Sequence, residues 1–361
     1  MNRFYVDPDI SVARTLHTDF YTDLSMYELA KEKIFAPSWQ FIGDQQAVGA
    51  PGDCCPFTYL DGYLNEPLLL TKDNTGKLNC LSNVCTHRGA IVVQEPCKTA
   101  NLRCRYHGRL FALDGKFKSM PEFKEVKDFP APSDNLTQLP VHQWGPWIFA
   151  SLKSNADPAP YLKDMIHRVG WLPVDEFKPR PDLSKEYVVN AHWALYCENY
   201  LEGFHIPFVH AGLNAVIDYV NYTTELFKYS NLQLGIAKDD EDVFDLPASS
   251  PDSGKKVAAY YFFVFPNMMF NFYPWGLSIN IVQPLAIDRC KVSFLTYVWK
   301  EDKFNTGAGS DLNTVEMEDE AVVEAVQLGV RSRFYGHGRY SVTREQGTHH
   351  FHRIISSLHN P

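Results

Sequence analysis

Cys85-Thr-His87-Arg-Gly89 and Cys104-Arg-Tyr-His107-Gly108 are two short loops, each offering one thiolate and one imidazole. Four such ligands can bind zinc as a Cys2His2 structural site. They can also hold a [2Fe–2S] cluster, with both cysteines on one iron and both histidines on the other. The spacing chooses between them. Finger-type zinc sites pair like with like, whereas each loop here brings one ligand of each kind, so the loops can cap a cluster from two sides. Gly89 and Gly108 follow the histidines where the backbone is expected to approach sulfur and donate N–H bonds. Working outward, Pro67–Thr71 and Lys77–Val84 read as strands flanking Asp73-Asn-Thr-Gly76. Arg109–Leu113 and Lys116–Ser119 flank the hairpin signal Asp114-Gly115, and Val141–Leu152 reads as a further strand. This is a small all-β module.

The flanking sequence has a different texture. Residues 22–35 read as one helix with apolar Leu24, Tyr27, Leu29 and Ile34. Tyr187–His192 reads as a strand, His192–Phe208 has helical periodicity, and strands return in Lys256–Tyr273 and Leu277–Val298. Helices follow at Asp311–Val330 and Thr343–Leu358. Strands and helices in blocks argue α+β rather than repeating βαβ units. Lys238–Asp242 and Ser249–Lys256 read as solvated loops. With roughly 150 residues per domain, 361 residues make two domains.

Composition narrows the function classes. With 24 Phe, 19 Tyr and 7 Trp the chain is not disordered, and no apolar run approaches the ~20 residues of a membrane span. A net charge of −9 gives no case for nucleic acid or an anionic membrane. Eight scattered cysteines do not make a disulfide scaffold, and the polar, acidic N-terminus shows no signal segment. A reduced, cytoplasmic protein is expected.

A second constellation lies downstream. Helical spacing puts Trp193, Cys197, Tyr200, Leu201, Phe204 and Phe208 on one apolar flank, with Glu198, Glu202 and His205 on a separate polar stripe. His210 would point elsewhere on an unbroken helix. A bend near Pro207 can bring both imidazoles to one point, while His-x4-His on its own reads equally as a pair of ordinary surface or hydrogen-bonded histidines. In the later helix, Asp319 shares a face with Val322, Val323, Val326 and Val330, while Glu318, Glu320 and Glu324 lie off it. A carboxylate on a buried stripe needs a partner, and a metal ion is an economical one. His205, His210 and Asp319 would then form a facial triad for non-haem Fe(II), although an ordinary ion pair or cap would also satisfy the carboxylate.

In chain order, Cys85-x-His87…Cys104-x-x-His107, Glu198-Asn-Tyr-Leu-Glu202-Gly-Phe-His205-x4-His210 and Glu318-Asp319 resemble the catalytic alpha subunit of the Rieske non-haem iron (ring-hydroxylating) oxygenases, over nearly the whole chain. Phe265-Pro-Asn-Met-Met…Tyr273-Pro-Trp-Gly276 and Gly338-Arg-Tyr…His349-His-Phe-His352 are similar to the branch of choline, carnitine and glycine betaine monooxygenases. The resemblance implies an N-terminal helical arm (1–37) packing on the catalytic domain, an all-β Rieske domain (38–155) and a helix-grip catalytic domain (156–361), an antiparallel sheet with helices over one face. It implies a [2Fe–2S] cluster on Cys85, His87, Cys104 and His107, and a mononuclear Fe(II) on His205, His210 and Asp319. It also implies a homotrimer in which an acidic residue bridges a cluster histidine and an iron histidine of neighbouring chains. Glu202 occupies that position, with His107 as the cluster-side partner. Asn199 matches an asparagine near the iron. Arg109 stands where the family often has Trp, and is expected to change the contacts over the cluster or the reductase-docking surface.

The implied reaction uses O2 and electrons from NAD(P)H through a separate reductase or ferredoxin, since the sequence has no Gly-x-Gly-x-x-Gly nucleotide motif. The expected substrate is a small quaternary ammonium compound, with an aromatic acid next. Tyr260, Phe262, Phe265, Phe270, Phe272, Tyr273 and Trp275 crowd one stretch of sheet, and alternate members are expected to line the pocket, as an aromatic cage for a cation would require. The alternatives are a Rieske electron-transfer protein without oxygenase activity and a zinc-stabilised ligand-binding protein. His349-His-Phe-His352 reads as hydrogen-bonded helix histidines, and the other cysteines as structural.

Overall fold

Asp23 splits the first expected helix. Its backbone is extended and its carboxylate accepts from the Ser25 N–H, so it ends Asp19–Thr22 and caps Leu24–Ala30; Lys31–Phe35 then widens into a π turn. Leu24 consequently faces solvent, while Tyr27, Ile34 and Phe35 are buried. The structure is a computed structural model and describes residues 4–238 and 241–359; Asp239 and Asp240 of the first expected loop lie outside the described residues. The described residues form two units, Ala36–Ala156 and a second that joins the residues up to Phe35 with those from Asp157 onward.

Ala36–Ala156 consists of short antiparallel sheets. Glu66–Lys72 pairs with Leu78–Ser82 across the Asp73–Gly76 turn, where the Asp73 carboxylate accepts from the N–H groups of Thr75 and Lys77. Leu110–Phe111 and Phe117–Ser119 close over Asp114-Gly115, as expected from the turn residues. Gly115 has φ +82°, and a Cβ there would meet Leu81 at 3.0 Å, so glycine is required on both counts. Val141–Leu152 is not one strand. Gly145 at φ +52° and the donor-less Pro146 turn it into a hairpin, Val141–Trp144 with Trp147–Ala150.

Arg109 lies in the core of this unit. It is 2% exposed, its guanidinium carbon lies 5.8, 5.1 and 5.5 Å from the rings of Phe111, Phe117 and Phe129, and it pairs with Asp134. A docking-surface role therefore falls away, and what stands in place of Trp is a cation held between aromatic faces. Asp134→Ala strands that guanidinium without its carboxylate. The expected cost is roughly 3 kcal/mol, read as a lower denaturant midpoint in tryptophan fluorescence.

The second unit is built on an eight-stranded antiparallel sheet. Its centre runs Ser230–Ile236, Val257–Val264, Met268–Tyr273, Gly276–Ala286 and Arg289–Val298, the last also pairing with Lys185–Val189. Val257–Val264 is buried at every position, so both faces of the sheet are covered, and apolar residues occupy both rows. Helix Trp193–Tyr200 contacts both helix Leu312–Gly329 and strand Gly276–Ala286, and helix Gln346–His359 contacts Thr223–Leu226. The α+β organisation expected from the sequence is thus observed. Ser249–Lys256 is more than a solvated loop: Asp252 is fully buried and pairs with Arg168 at 2.6 Å and Lys255 at 2.8 Å. No helix of the described residues is long and apolar enough to cross a membrane.

Candidate functional site

The two Cys–His loops of Ala36–Ala156 share one backbone plan. In each, the cysteine N–H donates to the carbonyl five residues on (Ala90, Arg109), and the glycine N–H donates back to the cysteine carbonyl. Gly89 and Gly108 take φ of +73° and +74° to close these turns, with no backbone or sulfur atom near the position of an added Cβ. Left-handed turn geometry alone favours glycine at both positions.

The loops orient their ligands differently. Cys85 and Cys104 are 2% exposed in a cluster with Leu69, Leu81, Leu102 and Phe111, while His87 and His107 lie nearer the surface, ring centroids 4.8 Å apart. His107 Nδ1 is buried without a hydrogen-bond partner among the described residues, as a ring nitrogen reserved for a metal would be. Burial first, then the positive neighbours His107, Arg109 and Arg88, hold the His87 pKa low, which keeps the imidazole neutral as a ligand must be. Among the described residues, the donors that converge within 4.8 Å of one another are His205, His210 and Asp319. The two loops do not converge in this way, as a single tetrahedral zinc would require; two thiols inside and two imidazoles outside suit a two-iron cluster.

The second centre arises where a helix fails. Trp193–Tyr200 ends before Glu202-Gly203, short helices follow at Ile206–Val209 and Ala211–Val216, and His205 and His210 sit at their boundaries. The bend is thus upstream and downstream of Pro207, which lies inside the short helix. Because the helix stops, Phe204 and Phe208 are exposed rather than part of the apolar flank. The imidazoles do meet, Nε2 to Nε2 at 3.1 Å, and Asp319 Oδ1 lies 3.0 Å from His210 Nε2 and 3.5 Å from His205 Nε2. Asn199 Nδ2 donates to the same oxygen at 2.5 Å.

Each imidazole is held from behind by a carboxylate: Glu202 Oε1 on His205 Nδ1 at 2.8 Å, and Glu318 Oε2 on His210 Nδ1 at 2.7 Å. Such pairs fix the ring and leave Nε2 free for a metal. Burial disfavours charge on His210, but hydrogen bonds and charge from Asp319 and then Glu318 outweigh it and raise the pKa. A site that strengthens the hold on a proton also attracts a metal cation, so the donor set fits iron.

Glu318 was expected to lie off the site face, and its use corrects that reading. The face itself also differs. Glu316, Val323, Gln327 and Val330 are buried, whereas Val326 is exposed. Sequence reasoning missed Glu316, whose carboxyl contacts the Tyr196 hydroxyl at 2.7 and 2.6 Å and whose pKa is pushed up to about 8, mainly by burial. An acid one helical turn before Asp319 was the available signal.

The cavity at this centre is lined by Tyr200, Tyr222, Tyr261, Tyr273, Gln233 and Asn271, among others, with Glu202, Glu316 and Asp319. Gln233, Tyr261, Asn271 and Ser278 are consecutive cross-strand neighbours, one row of the sheet. Tyr260, Phe262, Phe270 and Phe272 belong to the other row and point away, so of the expected cage residues Tyr273 lines the cavity. Phe265 and Trp275 are buried outside this lining. The terminal histidines are hydrogen-bonded apart, His349 to the Asp7 carbonyl at 2.7 Å and His352 to Tyr340 at 2.6 Å, as expected.

Comparison with known proteins agrees with both centres. The profile of the Rieske [2Fe–2S] domain matches residues 38–130, and that of the ring hydroxylating alpha subunit (catalytic domain) matches residues 178–359. The chloroplastic choline monooxygenase of Arabidopsis thaliana is 29% identical over 97% of this chain and 84% of its own length. The carnitine monooxygenase oxygenase subunit of Acinetobacter baumannii is 26% identical over 99% and 97%. Among solved structures, the quaternary ammonium Rieske monooxygenase CntA in complex with L-carnitine superposes with a TM-score of 0.75 at 23% identity, over 98% of this chain and 97% of that one. Two metal centres in this order, each with its own profile match, place the chain in the family of Rieske [2Fe–2S] ring-hydroxylating oxygenase alpha subunits: it belongs to that family, as an oxidoreductase carrying a [2Fe–2S] cluster and a mononuclear iron at a His-His-Asp site.

Proposed function

We propose that this oxygenase subunit hydroxylates a quaternary ammonium compound, with electrons supplied by a separate reductase. The observation that carries this reading is the cavity wall: Tyr200, Tyr222, Tyr261 and Tyr273 present rings, Glu202, Glu316 and Asp319 present acids, and among the described residues no Lys or Arg lines it. Aromatic faces and carboxylates stabilise a cationic nitrogen and repel an anion. The similarity to choline and carnitine monooxygenases supports it, and an aromatic acid, the second candidate, would bring its own carboxylate against those three acids.

When bound, the mononuclear iron supplies O2 activation at its open positions and the cluster supplies single electrons. The protein's share is positioning. Cys85 and Cys104 would hold the inner iron of the cluster, and His87 and His107 the outer one. His205, His210 and Asp319 would hold the mononuclear iron, with Glu202 and Glu318 each keeping the proton on an Nδ1 and so directing Nε2 inward. Asn199 fixes the Asp319 carboxylate. Glu202 is further proposed to bridge His205 to a cluster histidine, His107, of a neighbouring subunit in a homotrimer. The tyrosine walls hold the substrate and exclude water from the reacting C–H bond.

A single turnover tests the reading. The protein, loaded with both iron centres and chemically reduced, is exposed to isotopically labelled O2 with either a pool of quaternary ammonium compounds or a pool of aromatic carboxylic acids. Labelled or dealkylated product is expected from the ammonium pool. Product from the aromatic acids alone overturns the assignment.

A further inference from the structure

Glu316 has no part in holding iron, yet it is one of the least exposed carboxyls of the protein, at 4%. It lines the cavity, and its two oxygens lie against one hydroxyl, that of Tyr196, which can donate to one of them. A buried carboxyl stays neutral or needs a cation beside it. The groups that face it do not provide one. Asp319 and Glu320 on its own helix oppose its charge, Tyr196 on the adjacent helix donates a hydrogen bond, and His210 is already engaged by Asp319 and Glu318. The adjoining cavity that also includes Glu316 has Lys185 in its wall, and Lys185 donates to Asn313 at 2.7 Å. The lining that remains around Glu316 is aromatic and polar without positive charge.

We propose that Glu316 is the counter-anion of the substrate, selecting a positively charged nitrogen over a neutral group of the same shape, with the Tyr196 hydroxyl holding the carboxylate in place. The proposal rests on the quaternary ammonium reading above and names the residue responsible for it. Tyrosine rings favour a trimethylammonium group, but a tert-butyl group also fits an aromatic cage by its apolar surface. The ring faces separate the two through their attraction for a cation, and a full negative charge beside the nitrogen widens that difference. A cation entering the cavity also reverses the balance at Glu316, since the ionised form disfavoured by burial and by Asp319 then gains a partner.

The test uses choline and its neutral carbon isostere, in which tert-butyl replaces trimethylammonium. Binding to the iron-loaded protein is measured by calorimetry for the parent, Glu316→Gln and Glu316→Asp, alongside KM and kcat for choline. The parent is expected to prefer choline over the isostere, and Glu316→Gln to lose about tenfold or more in choline affinity, with KM for choline raised to match. The isostere's affinity and the iron content should change little. Glu316→Asp keeps the charge and should retain most of the preference; it also serves where the glutamine variant does not fold. An unchanged choline-to-isostere ratio in Glu316→Gln, with the parent discriminating, overturns the role of Glu316 alone. A parent that does not discriminate overturns the quaternary ammonium reading together with it.

Discussion

Asp319→Ala is expected to abolish oxygenase turnover, by more than about 100-fold, with loss of the mononuclear iron and an unaltered visible spectrum of the cluster. The single oxygen Oδ1 is what His205 Nε2, His210 Nε2 and Asn199 Nδ2 share, at 3.5, 3.0 and 2.5 Å. Removing it takes away the one negative ligand, among the described residues, of a site whose other donors are neutral imidazoles, so the cation loses charge neutralisation as well as a bond. The variant should keep its fold, because Asp319 is partly exposed and the buried residues Glu316, Val323 and Gln327 still seat the helix. The cluster donors belong to the other unit, Ala36–Ala156, and are untouched. Iron analysis and the cluster absorbance read the two centres separately. The variant also separates this enzyme from a plain electron-transfer protein, in which Asp319 would be dispensable. A variant that retained turnover would remove Asp319 from the ligand set.

What the sequence made legible was chemistry at fixed spacing. Cys-x-His and Cys-x-x-His are too short to adopt many geometries, and both resolve into the same five-residue turn. His205, His210 and Asp319 were legible for a similar reason, since a pair of imidazoles five residues apart and a carboxylate with no apolar excuse both call for a partner. The misses have common physical causes. Val257–Val264 and Met268–Tyr273 are buried on both faces, so the alternation that assigns inside and outside on a half-exposed sheet is absent. With that signal gone, choosing Tyr260 and Phe262 over Tyr261 was a choice between two equal rows. The helix ending at Tyr200 was hidden by Glu202 and Phe204, which continue a helical pattern that Gly203 and the Glu202 side chain interrupt. Glu202 Oε2 accepts from the Phe204 and His205 N–H groups, replacing helix bonds locally. Glu318 was set aside by face arithmetic, although a long side chain on the edge of a helix reaches a neighbouring ring.

Glu202→Gln carries the other large effect, a fall in steady-state turnover of about 100-fold. Two functions meet in this carboxylate, and Glu318 supplies the control that separates them. Both acids hold the Nδ1 of an iron histidine, at 2.8 and 2.7 Å, so each glutamine variant weakens the orientation and basicity of one ligand. That loss appears as lower iron affinity, about 10- to 100-fold, and excess Fe(II) should restore activity. For Glu318→Gln this restoration is expected to be nearly complete. For Glu202→Gln it is not, because the proposed bridge to a cluster histidine of the neighbouring subunit needs the negative charge on both sides, and an amide turns a donor toward one of the two rings. The cluster of Glu202→Gln should therefore be reduced normally by the reductase and then stay reduced in the presence of Fe(II), substrate and O2. Stopped-flow absorbance of the cluster reads this directly. Glu202→Asp, with the charge kept but the reach shortened, should lie between the two. If excess iron restores Glu202→Gln as fully as Glu318→Gln, Glu202 is only a support for His205, and electrons reach the mononuclear iron by another route.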